Sequence, residues 1–289
     1  MRIFITADLH YDVARSKGPT EALAEEICRK GADVLLIVGD CVSTDLAMLD
    51  RMLGLFEGFR GAKLLVAGNH ELWTCGGADS LHRYEVELLE ACRRNGVHYV
   101  DDAPYRADGV AFVGSVGWYD YSFRPDQLGI PLRFYKSKVA PGAAGQFTMH
   151  RHLLEPADDI SAAGREVTTR WMDGVRVNLP MDDAAFTERL VAKLRRHLDE
   201  VHDAARHVVA AVHHLPFHEL VPHSLIPNWE FANAFMGSEL FGEALTEYPK
   251  VRHVYCGHSH QLKKCRRGEL ECISVGSTYR DKRYEVLEL

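Results

Sequence analysis

The chain has 289 residues, 46% hydrophobic and 26% charged, with a formal net charge of −7. That balance is ordinary for a globular chain and lacks the basic footprint of a protein that binds nucleic acid as a polymer. No apolar run reaches membrane length, and Met1-Arg2-Ile3 passes straight into an apolar stretch with no leader before it, so a cytoplasmic location is expected.

The first strand is predicted over residues 2–7, and Asp8-Leu9-His10 follows it. A helical pattern over about 20–30 leads to a second strand, 33–38, and then to Gly39-Asp40. Another helical pattern, about 44–59, precedes the strand 63–67 and the run Gly68-Asn69-His70-Glu71. A third helix is expected over about 80–95. From about 117 to 180, Pro125, Pro131, Pro141 and Pro156 break any regular element, and this segment reads as an insertion or cap. A helix over about 182–205 comes before the strand 208–212 and His213-His214. An aromatic and polar loop, about 217–241, follows; the strand 251–256 then ends at Gly257-His258-Ser259-His260. Strands alternating with helices predict an α/β fold with a largely parallel sheet.

Short, near-continuous apolar runs suit strands buried on both faces. In α/β sheets ligands bind beyond the carboxyl ends of strands, where all five polar motifs fall. Gly39, Gly68 and Gly257 each precede a candidate ligand, and a residue without Cβ permits a sharp turn and close backbone approach. Asp, Asn and His supply oxygen and nitrogen donors that suit Zn, Mn or Fe. Asp8 and His10 are two apart, as are His258 and His260, so each pair leaves one side of an extended segment. A carboxylate has two oxygens, so Asp40 is able to bridge two ions. Asp8 and His260 must meet, which joins both ends of the chain in one domain, 1–289.

The ordered set Asp-x-His, Gly-Asp, Gly-Asn-His-Glu, His-His and Gly-His-x-His resembles the calcineurin-like metallophosphoesterase superfamily over nearly the whole chain. The resemblance implies a four-layer α/β/β/α sandwich of two mixed sheets. It implies one metal on Asp8, His10, Asp40 and His260 and another on Asp40, Asn69, His213 and His258. The cofactors would be two divalent or trivalent transition-metal ions: Mn, Fe or Zn. His213 is preferred to His214 because similar proteins carry His-His-x-Pro with the first His on the metal. His70 would stay unligated, with Glu71 orienting its ring.

The chemistry implied is hydrolysis of a phosphate mono- or diester by a hydroxide held between the metals, with His70 and Asp40 as catalytic residues and His70 handing a proton to the leaving oxygen. The expected partner is a small phosphate ester, a nucleotide among the candidates, with no membrane and no stable nucleic-acid partner. Glu71, His214, Trp229 and Phe231 are the expected substrate-side residues. The stripe Arg133, Lys136 and Lys138 reads as a solvated face, with phosphate binding as its alternative. Cys41 and Cys256 read as buried fillers, and seven cysteines without Cys-x-x-Cys spacing suit reduced thiols.

Three other readings stand beside this one. A nuclease of the DNA-repair type would need a basic groove and more chain. A protein serine/threonine phosphatase would carry an arginine after Gly-Asp, where this chain has Cys41-Val42-Ser43-Thr44-Asp45. A non-catalytic scaffold would have lost ligands that are all present here.

Overall fold

The five apolar runs form strands, and six further strands complete two sheets. The structure is a computed structural model and describes all 289 residues. In chain order the strands are β1 (Arg2–Thr6), β2 (Val34–Val38), β3 (Ala62–Val66), β4 (His98–Tyr99), β5 (Tyr105–Ala107), β6 (Val110–Ser115), β7 (His207–Val212), β8 (Val251–Cys256), β9 (Lys263–Arg267), β10 (Leu270–Ser274) and β11 (Glu285–Glu288). One sheet has the order β11-β1-β2-β3-β4, the other β5-β6-β7-β8-β10-β9. Both are mixed: β1 to β4 run parallel with β11 antiparallel to β1, and β6, β7, β8 and β10 run parallel between antiparallel β5 and β9.

The strands β1, β2, β6 and β7 read as unbroken apolar runs because each buries both faces. Ile3, Ile5, Val34, Leu36, Val38, Leu64 and Val66 of the first sheet pack against Val110, Phe112, Val209, Ala211, Tyr255 and Ile273 of the second. The alternate residues Phe4, Leu35, Ile37, Ala111, Val113, Val208 and Ala210 face outward into a larger core. Helices cover those outer faces: α1 (Ala14–Lys30), α2 (Leu46–Gly54), α3 (Leu88–Arg94), α4 (Asp183–His202) and α5 (Glu239–Thr246). With both faces apolar, burial hardly distinguishes one strand register from its neighbour. Polar groups at the strand ends must set it, and those ends carry the motifs.

Three elements differ from the sequence expectation; the helix expected over 80–95 opens with Ser80–His82 and a π-helical turn, Arg83–Glu87, before α3. α1 starts at Ala14, not near residue 20, and runs through Pro19. The hydroxyls of Ser16 and Thr20 both donate to the Leu9 carbonyl (2.6 and 3.0 Å), anchoring this end of the helix to the turn between Asp8 and His10. α2 ends at Gly54, short of residue 59. Residues 117–182 add no strand beyond the isolated bridge Val139–Arg170; they form short helical turns, the last being Asp173–Arg176. Within them Arg133 pairs with Asp159, Lys138 pairs with Asp183 at the start of α4, and Lys136 is exposed. Cys41 and Cys256 are fully buried. No helix is long and apolar enough to cross a membrane.

Asp101 joins the sheets near the motif-bearing ends. Its wholly buried carboxylate accepts from the Ala67 N–H after β3 (2.8 Å), the Val116 N–H after β6 and the Tyr84 hydroxyl (2.8 Å). Burial pushes this carboxyl up, and the N–H donors act against that. Asp101→Ala would leave three buried donors unpaired, each costing about 1–3 kcal/mol. Thermal unfolding of Asp101→Ala should give a Tm lower by roughly 6–12 °C, taking a loss of about 3 kcal/mol at ~2–4 °C each. A shift under about 2 °C would remove Asp101 as the tie between the sheets.

Candidate metal centre

The carboxyl ends of β1, β2 and β3 lie side by side in one sheet, and those of β7 and β8 in the other. The two rims are bonded together. The His213 imidazole donates from Nδ1 to the Val38 carbonyl (2.8 Å), and His258 N–H donates to Asp8 Oδ1 (2.9 Å); within the second sheet, Gly257 N–H donates to the His213 carbonyl (3.0 Å). Within the first sheet, Asp8 N–H bonds Gly39 O and His10 N–H bonds Asp40 O. Gly39 has φ +75°, and a Cβ there would lie 2.5 Å from His213 Nδ1, so only glycine fits.

The backbone is strained where the motifs fall. Asp8, His10, Asp40, His258 and His260 all have positive φ, between 42° and 65°. Non-glycine residues rarely adopt this region, and each such residue costs of order 1–3 kcal/mol. The strain turns five polar side chains inward to one place.

Two groups of donors result. The donor atoms of Asp8, His10, Asp40 and His260 all lie within 4.8 Å of one another, and so do those of Asp40, His213 and His258. Asp40 belongs to both. His10 Nε2 is 3.2 Å from His260 Nε2 and 3.7 Å from Asp40 Oδ2, while His213 Nε2 is 3.3 Å from Asp40 Oδ1. Two imidazole nitrogens on one tetrahedral ion, each ~2.0–2.1 Å away, stand about 3.3 Å apart. Carbonyls fix two of the tautomers, since a carbonyl only accepts. Val38 O takes the Nδ1 proton of His213 and leaves Nε2 as donor atom; Phe235 O takes the Nε2 proton of His258 (3.2 Å) and leaves Nδ1. Asp8 Oδ2, Asn69 Oδ1 and His213 Nε2 are buried with no hydrogen-bond partner. Orphaned acceptors on a mixed oxygen and nitrogen donor set fit a pair of transition-metal ions.

The electrostatics follow from burial. It pushes the Asp8 carboxyl up. At Asp40 burial acts the same way, but the fields of His213 and His70 outweigh it and hold that carboxyl well below its usual range. Burial lowers His10 and His258, which keeps both imidazoles neutral and able to ligate.

His70 stands beside the groups at the mouth. Its side chain is 19% exposed, and its Nε2 lies 3.9 Å from Asp40 Oδ2. Its ring stacks on Trp73 (3.8 Å between centroids, 22°), and Nδ1 is 3.2 Å from the Ser43 hydroxyl. Opposite, Tyr279 packs on the rings of His10 and His260, with the Arg15 guanidinium 4.3 Å from its centroid.

Three of the four expected substrate-side residues, Glu71, His214 and Phe231, are wholly buried. Glu71 is fully buried and does not orient His70: its carboxylate accepts from the backbone N–H groups of Asp40, Cys41, Val42 and Gly68 (2.6–2.9 Å). Burial, with the Asp40 charge, pushes Glu71 up to about 8, against the pull of those donors. His214 is fully buried, with Nδ1 donating to the Val116 carbonyl and its ring against Trp118, Tyr119 and His258. Phe231 is wholly buried and stacked on Tyr135, so it offers no face to a ligand, and Trp229, two residues before it in the same short helix, is 66% exposed. The 217–241 loop reaches the donor set through Phe235, whose carbonyl is 3.2 Å from His258 Nε2.

Sequence reasoning missed Trp73, Tyr279 and Asp173. Trp73 lies three residues after His70 in a 3₁₀ turn, where side chains at i and i+3 eclipse, and that spacing was readable. Tyr279 follows the apolar strand β10, a further strand end on the same rim. Asp173 follows no strand and gave no signal. It is 1% exposed and accepts from Asn69 Nδ2 (2.9 Å), Trp73 Nε1 (2.6 Å), Tyr119 hydroxyl (3.0 Å) and Trp171 Nε1 (2.7 Å).

The family model described as calcineurin-like phosphoesterase matches residues 1–262. A search of curated proteins returns no match. Among solved structures, the phosphopantetheinyl hydrolase of Mycobacterium tuberculosis is similar at 19% identity with a TM-score of 0.69, over 96% of this chain and 89% of that one. A dimetal phosphatase from Danio rerio is similar at 13% identity with a TM-score of 0.54, over 99% of this chain and 91% of that one. At these identities the likeness is one of fold, and the family model carries the assignment. The chain belongs to the calcineurin-like phosphoesterases and is a metal-dependent hydrolase of phosphate esters.

Proposed function

We propose that the chain hydrolyses small phosphate mono- or diesters at a two-metal site. Asp8, His10, Asp40 and His260 hold one ion, Asp40, Asn69, His213 and His258 hold the other, and His70 protonates the leaving group. The observation that carries this reading is the membership of Asp40 in both donor groups. Bound transition metals, Mn, Fe or Zn, would supply Lewis-acid polarisation of the phosphoryl group and an activated water.

The chain's own residues do the rest. Ligands with 0–2% exposed side chains form the floor, while His70 and His260 (19% and 24%) stand at the opening, so a substrate enters past them. In the protonated, acid form of His70, Nδ1–H donates to the Ser43 hydroxyl oxygen and the second ring proton stands on Nε2, toward Asp40 and the position a leaving oxygen would take. Stacking on Trp73 holds the ring in that plane. The substrate of this reading is a small ester, a nucleotide among the candidates. We also read 1–289 as one domain, with 117–180 as its cap, and place it in the cytoplasm, in line with seven unpaired cysteines.

Two variants test the roles. Asp40→Ala should lose metal and activity together, measured as metal content and turnover of a nitrophenyl phosphate. His70→Ala should keep its metal and lose rate by ~10²–10⁴-fold on alkyl esters, with a much smaller loss on the nitrophenyl ester, whose leaving group needs little proton assistance. Equal losses on both ester types would remove His70 as the proton donor.

A further inference from the structure

Asn69 has an amide whose oxygen and nitrogen are similar in shape, and only the oxygen is a metal ligand. Something must decide which way it faces. Asp173 does so here: a carboxylate only accepts, so the Asn69 atom 2.9 Å from Asp173 Oδ1 is Nδ2. Oδ1 is thereby turned the other way, where it is buried with no hydrogen-bond partner.

Asp173 is not itself a ligand. Oδ1 takes Asn69 and Trp73, Oδ2 takes Tyr119 and Trp171, and four donors occupy the carboxylate's acceptor sites. Nor is it on a loose loop. Thr74 N–H donates to Arg176 O (2.7 Å), Ser80 N–H to Asn178 O (3.0 Å), Asn178 N–H to the Ser80 hydroxyl (2.9 Å) and Trp171 N–H to Lys138 O (2.8 Å). These bonds clamp the turn on both sides. Through Trp73 Nε1 the same carboxylate also fixes the ring on which His70 stacks.

We infer that Asp173 is a positioning residue that orients the Asn69 amide toward the second metal and makes that ion's affinity, not the first ion's, depend on a side chain outside the five ligand motifs. This rests on the two-metal reading above. Partners of this kind are typically worth 10–100-fold in metal affinity. In Asp173→Asn an NH2 group replaces one carboxylate oxygen, and with it two of the four acceptor sites. If that group faces Asn69, the amide must flip and withdraw its oxygen; if it faces Tyr119 and Trp171, the charge that fixed Asn69 is still lost.

The experiment is calorimetric titration of metal-depleted protein with Mn²⁺, comparing wild type, Asp173→Asn and Ser80→Ala. Asp173→Asn keeps the side chain's shape, which Asp173→Ala does not. Ser80→Ala loosens the clamp on the turn without touching the carboxylate. The expected result is two ions for wild type and Ser80→Ala, with one ion lost or weakened ~10–100-fold in Asp173→Asn while the other keeps its affinity. Wild-type affinity at both sites in Asp173→Asn overturns the inference. Equal weakening of both ions overturns it too, as does the same selective loss in Ser80→Ala, which would assign the effect to the turn. A wild type that takes up only one ion overturns the two-metal reading itself.

Discussion

Asp40 sits where the two sheets meet with its carboxylate buried, and a buried carboxylate costs several kcal/mol unless charge or donors are brought to it. Much of the local structure answers that demand. The His70 N–H donates to Oδ1 (3.1 Å), and the Nε2 atoms of His10, His70 and His213 stand 3.3–3.9 Å from its oxygens. Asp8, equally buried, adds a second negative charge close by. Burial drives His10 and His258 to the neutral form, while His213, against its burial, is pushed up to about 10 by the Asp40 and Asp8 charges and offers one positive charge to two buried carboxylates. Divalent ions between the two carboxylates are the natural counter-charge.

The chain's own hydrogen bonds hold the arrangement. Glu71 gathers four backbone N–H groups from the turns after β2 and β3, which fixes those turns against each other. Gly68 makes this possible, since a Cβ there would run into the Asp40 carboxylate. Asp101 repeats the device one layer away, tying the end of β3 to the end of β6. The positive φ angles of five site residues are tolerated because these bonds over-determine the turns.

The fold and the donor set were legible where sequence order and strand ends coincide. An apolar run buried on both faces, followed by Gly and a polar residue, marks a strand end, and parallel neighbours bring such ends together. β9, Lys263-Lys264-Cys265-Arg266-Arg267, was invisible because an edge strand needs no continuous apolar run. Glu71 was misread because it adjoins His70. In a 3₁₀ turn consecutive side chains leave about 120° apart, so the neighbour of a mouth residue points into the core. Trp229 and Phe231 were paired as substrate residues, yet two apart on a helical turn they face different ways, and only one is at the surface. Asp173 reaches the site across 104 residues of chain, a contact that no local pattern announces.

The account turns on whether two ions share Asp40. Anomalous scattering at the absorption edge of the bound metal, from crystals grown with that metal, tests this most directly. Two peaks ~3.5–4 Å apart, one on each side of the Asp40 carboxylate, are the predicted result. A single peak under metal-replete conditions, or a second peak away from Asp40, would contradict it.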